Sequence, residues 1–401
     1  MTSDRAASAR GTRRRYSAEL QAQVLAECDA PGASVAKVAM SHGINANVVH
    51  RWRQLAREVR PVPASPTGEF VPVSLPAMSA ATDVRDIQIQ LRRGTTTMTI
   101  TWPVGECGAQ LQPLVDALTA ELLKHDVLHA DETPVAMLKP GHGKTPRAYV
   151  WSYCTTRFNE TKAVVFDFAE SRAGLHAREF LGLPGSDHNR GWRGKLVCDD
   201  YSGYKQLLTM GVTEAGCLAH ARRKFFDLWA NHKSQVAEEA LKYFVQLYEV
   251  EREVQDLDPD ERRRIRQLKA RPVADALNKW LTLQRQKVPD GSATAKAIDY
   301  SLNRWIALTR YLDDGDLPAD NNWVENQIRP IALGRNIWLF AGSLRAGKRA
   351  AAIMSLVHSA RLNGHDPYAY LKDVLERLPM QPASRVQDLL PHRWQPTITE
   401  S

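Results

Sequence analysis

The sequence of 401 residues is poor in cysteine, modest in aromatics and free of long apolar runs. Its five cysteines, Cys28, Cys107, Cys154, Cys198 and Cys217, are scattered, which excludes a disulfide framework and suits a reducing compartment. No apolar stretch approaches the roughly 18 residues that a membrane span needs. The opening residues, MTSDRAASARGTRRRYS, are basic but lack the apolar core of a secretory signal. A cytoplasmic protein is therefore expected, with no membrane partner. There is no internal repeat and no low-complexity tract.

What the chain does have is positive charge, concentrated at one end. The formal net charge is +8, and the first sixty residues hold ten Lys/Arg against five Asp/Glu. A local basic excess of this kind favours a polyanion, most often nucleic acid. The length is enough for two or three domains with a sizeable core.

Residues 1–60 read as a helix-turn-helix domain. Ser17 can cap a first helix carrying Leu20, Val24 and Leu25. Ser34 can cap a second, with Val35, Val38 and Ala39 on one side. The turn HGIN offers Gly43 for a positive φ. A third helix, from about Ala46 to Val59, would turn Val48, Val49, Trp52 and Leu55 inward. Its outer face then presents Asn47, His50, Arg51, Arg53 and Arg57, residue types that read DNA grooves and hold phosphates. Arg13, Arg14 and Arg15 would follow the DNA backbone or enter a minor groove. Residues 61–83 are a Pro-rich linker. Residues 84–103 alternate about a Gly turn, as in a β-hairpin.

From there the pattern is α/β. A connecting helix over 104–125 leads into three strand candidates within 127–138, 147–154 and 162–169. Helix, strand, helix and strand follow, the last two strands at 195–200 and 213–220. This predicts a mixed five-stranded sheet covered by helices, with residues 126–225 as the first part of a catalytic core. Residues 226–315 read as an all-helical insertion. Residues 316–376 carry further helices, and 377–401 form a tail.

Acids fall at informative places. Asp131 ends the first of the five strands and Asp199 ends the fourth. If these strands are neighbours, the two carboxylates meet at one sheet edge, and Glu325 could be added by a helix packed there. Carboxylates brought together repel unless a cation lies between them. Oxygen-only ligands point to Mg²⁺, two ions being expected, with Mn²⁺ as a substitute. Such a centre performs phosphodiester chemistry. Each acid also has a purely structural alternative. Strand-end aspartates cap turns, Asp200 being the better capping candidate of its pair. In DNNWVENQIR, Asn322 can cap a helix, Glu325 can reach back to it, and Glu325 can pair with Arg329. Glu132, next to Asp131, would point to the opposite face of its strand.

Several segments together carry a resemblance: LHADETPVAML, VVFDFAESRAGLHAREFL, LVCDDYSGY, EAGCLAHARRKFFDL and DNNWVENQIRPIALGRNIWLFAGS. They resemble the catalytic region of the insertion-sequence transposases of the sixty-six family, a DDE group with an RNase H-like core. The resemblance spans about residues 104–394. It implies that Asp131 in ADET, Asp199 in the CD-x-Y-x-x-Y motif and Glu325 in DNN-x-x-E are catalytic and bind the metals. It also implies strand cleavage and strand transfer at element ends. The implied partners are double-stranded DNA at those ends and at the target, a homo-oligomer on DNA, and other proteins of the same element. When bound to DNA the protein would be nucleoid-associated. Residues 11–103 resemble the family's small helix-turn-helix accessory protein, so the chain looks like that protein fused to a shortened catalytic half, joined near 100–114. A rival reading is an inert enzyme half whose helix-turn-helix alone binds DNA.

Other patterns are weaker. GSLRAGKR (342–349) ends in Arg349 where a P-loop requires Ser or Thr. Arg335, Arg345, Lys348 and Arg349 are read instead as DNA phosphate contacts. Cys217 and His220 form a C-x₂-H pair with no second pair at zinc-finger spacing. His220, Arg222 and Arg223 are read as phosphate-binding residues facing the acids.

Overall fold

The computed structural model describes residues 17–29, 35–44, 48–49, 52, 86–93, 96–103, 107–139, 141, 145–182, 191–338 and 340–396. Two compact units are present, Met1–Ala80 and Ala81–Ser401.

In the first unit, α1 (Ala18–Cys28) starts where Ser17 Oγ accepts the Leu20 amide at 3.2 Å, and α2 (Val35–Ser41) follows. Val24, Cys28, Ala39, Ile44 and Val49 form its core, with Leu20, Val35, Val38, Val48 and Trp52 packed against them. Gly43 adopts a φ of 61° and lets the chain turn after α2. The expected DNA-reading residues Arg13, Arg14, Arg15, Asn47, His50, Arg51, Arg53 and Arg57 lie outside the described residues, as does the Pro-rich linker.

The second unit opens with the antiparallel hairpin of β1 (Asp86–Arg93) and β2 (Thr96–Pro103). After α3 (Cys107–Leu122) come β3 (Val127–Ala136), β4 (Arg147–Thr155), β5 (Val164–Ala169), α4 (Gly174–Phe180), β6 (Lys195–Cys198), α5 (Lys205–Thr209) and β7 (Thr213–Gly216). The five core strands lie in the order β5-β4-β3-β6-β7. β3, β4 and β5 form an antiparallel meander, while β6 and β7 run parallel to β3. An antiparallel meander extended by two parallel strands, each reached through a helix, is the RNase H-like arrangement.

The period-two alternation of the strands sorts the sheet into two faces. Leu128, Ala130, Trp151, Tyr153, Val165 and Leu196 pack with α3 on one face. Val135, Ala148, Val150, Val164, Phe166 and Phe168 pack on the other, against α12 (Asn322–Trp338) and the start of α13 (Leu344–Leu362). α13 also covers the edge strand. Ser355 Oγ accepts the Phe166 amide at 2.8 Å and Ser359 Oγ accepts the Val164 amide at 2.9 Å, so β5 exposes no free ladder there.

The helical stretch begins at Leu218, with α6 (Leu218–His232) and α7 (Gln235–Glu253). α8 (Pro259–Ile265), a π turn over Arg266–Ala270, α9 (Arg271–Arg285), α10 (Ala293–Asn303) and α11 (Trp305–Thr309) complete it. Its core joins Val127, Val197 and Ala215 of the sheet to Phe225, Phe244, Leu277 and Ile298. At its centre the fully buried Arg266 forks onto Glu251 at 2.8 and 2.7 Å. The same side chain donates to the carbonyls of Tyr311, Asp314 and Leu317 at 2.9–3.0 Å. Those carbonyls belong to the segment that approaches α12, so the insertion fixes where that helix begins. Last comes α14 (Pro367–Arg377), with Tyr370 and Val374 in the first core.

Candidate active site

The parallel ladder between β3 and β6 pairs Val127 with Lys195, Leu128 with Leu196 and His129 with Val197. The ladder stops there and β6 ends at Cys198, so Asp199 follows directly on the strand beside the one that carries Asp131. Asp131 shares parity with Val127 and Val135, which pack against the α6 and α12 side of the sheet. Glu132 has the opposite parity. Its side chain is shut off from solvent, bonded to Tyr204 Oη at 2.7 Å and to Arg172 Nε at 2.7 Å. Arg172 lies over the Tyr201 ring, 3.8 Å from its centroid. Glu132 is thus held by an arginine and a tyrosine, while burial still pushes its carboxyl above the ordinary range.

Glu325 comes to this face through α12, and the anchor is Asn321. This residue is buried, and its Oδ1 accepts His129 Nδ1–H at 2.8 Å while its Nδ2 donates to the Ala130 carbonyl at 2.9 Å. Its backbone amide donates to Cys217 Sγ at 3.2 Å, and its carbonyl accepts the Glu325 amide. Burial holds His129 near a pKa of about 4, so it is neutral and can serve as the fixed donor. Trp323 Nε1 adds a bond to the Thr155 carbonyl at 2.9 Å. Asn322 is the first helical residue rather than the cap. Its amide and side chain bond Asp320, which also accepts Tyr248 Oη at 2.9 Å. Glu325 does not close a capping box, and its ionisable neighbour is His220, at 3.8 Å, not Arg329.

The turn after β6 also departs from expectation. Asp199, not Asp200, makes it, with Oδ1 accepting the Tyr201 amide at 2.9 Å. That bond orients the Asp199 carboxylate without neutralising it. Asp200 is exposed and faces Arg304 Nε at 3.5 Å.

The electrostatics follow. Burial first, and then the carboxylates of Glu132, Glu325 and Asp199, push Asp131 well above the ordinary carboxylate range. Glu325 Oε1 and His220 Nδ1 are both closed to solvent and have no hydrogen-bond partner. Mutual repulsion and an orphaned carboxylate oxygen are what a cation would relieve, so the donor set fits a divalent ion.

Of the cations expected to hold DNA, Arg222 and Arg223 are exposed and, with Phe226, Tyr248, Arg252 and Asn322, line a cavity of about 520 Å³ beside the start of α12. Arg335 instead clamps α12 to β3, its Nη1 bonding Thr133 Oγ1 at 3.1 Å and the Pro134 carbonyl at 2.9 Å. Arg345 and Lys348 are exposed and Arg349 half-buried on α13. Ser343 caps that helix, and Gly347 sits against the Phe168 ring inside it, so GSLRAGKR forms no phosphate-wrapping loop. Sequence reasoning missed Asn321, Arg172 and the approach of Cys217 to Glu325. The DNN triplet was the signal for Asn321, but nothing local distinguishes its two asparagines.

A family model described as Transposase IS66 family matches residues 74–349, well over half of the chain. The chain belongs to the IS66 transposase family. The model described as IS66 C-terminal element matches residues 355–392, and a helix-turn-helix model described as Transposase matches residues 10–83. The IS66 match begins ahead of the β1–β2 hairpin and so includes it. Two Sinorhizobium fredii proteins, Uncharacterized protein y4hP and Uncharacterized protein y4jD, are each 34% identical to this IS66 chain. The first alignment covers 75% of this chain and 56% of the relative, the second 71% and 57%. The chain therefore spans little more than half the length of these relatives. Among solved structures, the Mos1 transposase paired-end complex with left transposon end is 11% identical, covering 75% of this chain and 80% of that one at a TM-score of 0.17. The Mos1 mariner paired end complex with Mn is 12% identical, covering 52% of this chain and 61% of that one at a TM-score of 0.14. Among the described residues no helix is long and apolar enough to cross a membrane.

Proposed function

We propose that this IS66 family chain cleaves and joins DNA strands at the ends of an insertion sequence, with Asp131, Asp199 and Glu325 as its metal-binding acids. One observation supports this most: acids 68 and 126 residues apart in sequence lie close enough that, after burial and the neighbouring Glu132, the carboxylates of Glu325 and Asp199 both push Asp131 upward. Two Mg²⁺ ions, or Mn²⁺ in their place, would activate a water or 3′-hydroxyl and stabilise the leaving oxygen. The chain's own part is positional. Asp131 and Asp199 are set by the β3–β6 register, and Glu325 is set by the Asn321 anchor and the Arg335 clamp. Tyr201 holds the Asp199 carboxylate through its amide, while Arg172 keeps Glu132 from competing for the ions. Exposed Arg222 and Arg223, beside the α12 start, would hold DNA phosphates, and the helix-turn-helix segment would hold element ends.

The test is a nicking and strand-transfer assay on end-containing duplex DNA with Mg²⁺ or Mn²⁺. Asp131→Asn, Asp199→Asn and Glu325→Gln should each lower the rate by at least about 10³-fold, as loss of a transition-state metal ligand does. Products unchanged in all three variants would refute the assignment. If the wild type shifts end DNA in a gel without nicking it, the inert DNA-binding reading replaces it.

A further inference from the structure

The C-x₂-H pair that the sequence left without partners has acquired one in space. Cys217 ends the segment after β7, His220 lies in the first turn of α6, and Glu325 lies in the first turn of α12. One ligand atom from each of the three lies within 4.8 Å of the other two. His220 Nδ1 and Glu325 Oε1 are 3.8 Å apart. That is too far for a hydrogen bond, which needs about 2.7–3.2 Å, yet both atoms are closed to solvent and neither has any other partner. Two unpartnered ligand atoms facing each other across such a gap leave room for an ion between them. Around a tetrahedral Zn²⁺, bond lengths of about 2.0–2.2 Å to nitrogen and oxygen imply an N···O separation of about 3.4 Å.

We infer that Cys217, His220 and Glu325 form a binding site for one transition-metal ion of the Zn²⁺ or Co²⁺ class. The inference goes beyond the transposase reading, shares Glu325 with the acids assigned there, and stands without it. The donor set decides the class of ion. A thiolate and an imidazole select borderline ions, whereas the oxygen-only Asp131 and Asp199 suit Mg²⁺. The charges balance: thiolate, carboxylate and neutral imidazole give two negative charges for a divalent cation. On binding, Cys217 releases its thiol proton to solvent and the sulfur takes the metal in its place. The Asn321 amide already donates to that sulfur at 3.2 Å, the kind of second contact that orients a metal thiolate. Three protein ligands leave a fourth position for water, as in open zinc sites. The ion would pin Oε1 of Glu325 to α6 and so tie the third acid to the first helix of the insertion.

The probe is Co²⁺ added to the full-length protein in excess Mg²⁺, read by absorption and checked by competition with Zn²⁺. The wild type should bind one Co²⁺ per chain with a sulfur-to-cobalt charge-transfer band. Cys217→Ser, nearly isosteric, should lose the band, and His220→Ala should weaken binding by about 10–100-fold or more. Absence of the band in the wild type would overturn the site, as would a band that persists in Cys217→Ser. So would unchanged affinity in His220→Ala. Asp131→Asn should keep the band, and its loss there would also count against a separate site. A wild type that shows the band but nicks no DNA keeps the metal site and removes the transposase chemistry. One that nicks DNA but shows no band does the reverse.

Discussion

Asn321 and Asn322 are adjacent, chemically identical and indistinguishable in sequence, yet the structure gives them opposite weights. Asn321 is 1% exposed, and its amide satisfies two other buried groups, the His129 Nδ1–H and the Ala130 carbonyl, at 2.8 and 2.9 Å. Truncation to alanine orphans both. A buried donor or acceptor left unpaired costs about 1–3 kcal/mol, so Asn321→Ala should destabilise the fold by about 2–6 kcal/mol. Its backbone bonds to Cys217 and Glu325 survive the change, so the loss belongs to the side chain. Asn322 is exposed and bonds only Asp320 through its side chain. Its replacement by alanine should stay within about 0.5 kcal/mol, as surface changes usually do. Urea melts followed by tryptophan fluorescence give both numbers. Near-equal costs, or a larger cost for Asn322→Ala, would show that Asn321 does not anchor α12 and would remove the account of how Glu325 is positioned.

Without metal, Asp131→Asn should raise stability near neutral pH while abolishing activity, a conflict common at active sites. The sign follows from linkage: a carboxyl whose folded pKa is raised stabilises below its unfolded pKa and loses that contribution as pH climbs. The gain in melting experiments should therefore shrink toward the ordinary Asp value of about 3.9; an Asn variant less stable than wild type at pH 7 would contradict it. Arg266→Leu leaves buried Glu251 unpaired and should cost about 3–5 kcal/mol in the same melts, against a surface-like value if the hub is unimportant. His358, buried edge-on to Phe166 at 5.2 Å between centroids, is lowered from 6.5 to about 4 by burial and then by Arg361. Its neutral form is favoured in the fold, so its contribution is intact above pH 6.5 and is lost as pH falls toward 4. The loss reaches about 2 kcal/mol by pH 5. His358→Leu should flatten that part of the stability profile, and an unchanged profile would reassign the acid sensitivity to other groups.

Sequence alone determined what is local or periodic. Alternation along 127–136, 147–155 and 164–169 marked the strands, because a half-buried strand repeats every second residue. Ser17 and the apolar positions after it marked α1, because caps act within one turn. The same parity rule already separated Asp131 from Glu132. Residues 74–349 match the IS66 transposase model, the family that the motifs resemble, and that resemblance is what implies the three acids. Local pattern misassigned roles that depend on partners from elsewhere. Asp200 reads as the better cap for the turn that Asp199 makes, and Arg335, basic and near a helix end, reads as a phosphate contact until β3 is seen beneath it. Only the tertiary structure decided which asparagine is the anchor, that Glu325 faces His220 rather than Arg329, and that Cys217 stands within reach of both. The reason is physical: a side chain's charge and hydrogen bonds are set by what packs against it, and here those partners lie about one hundred to two hundred residues away.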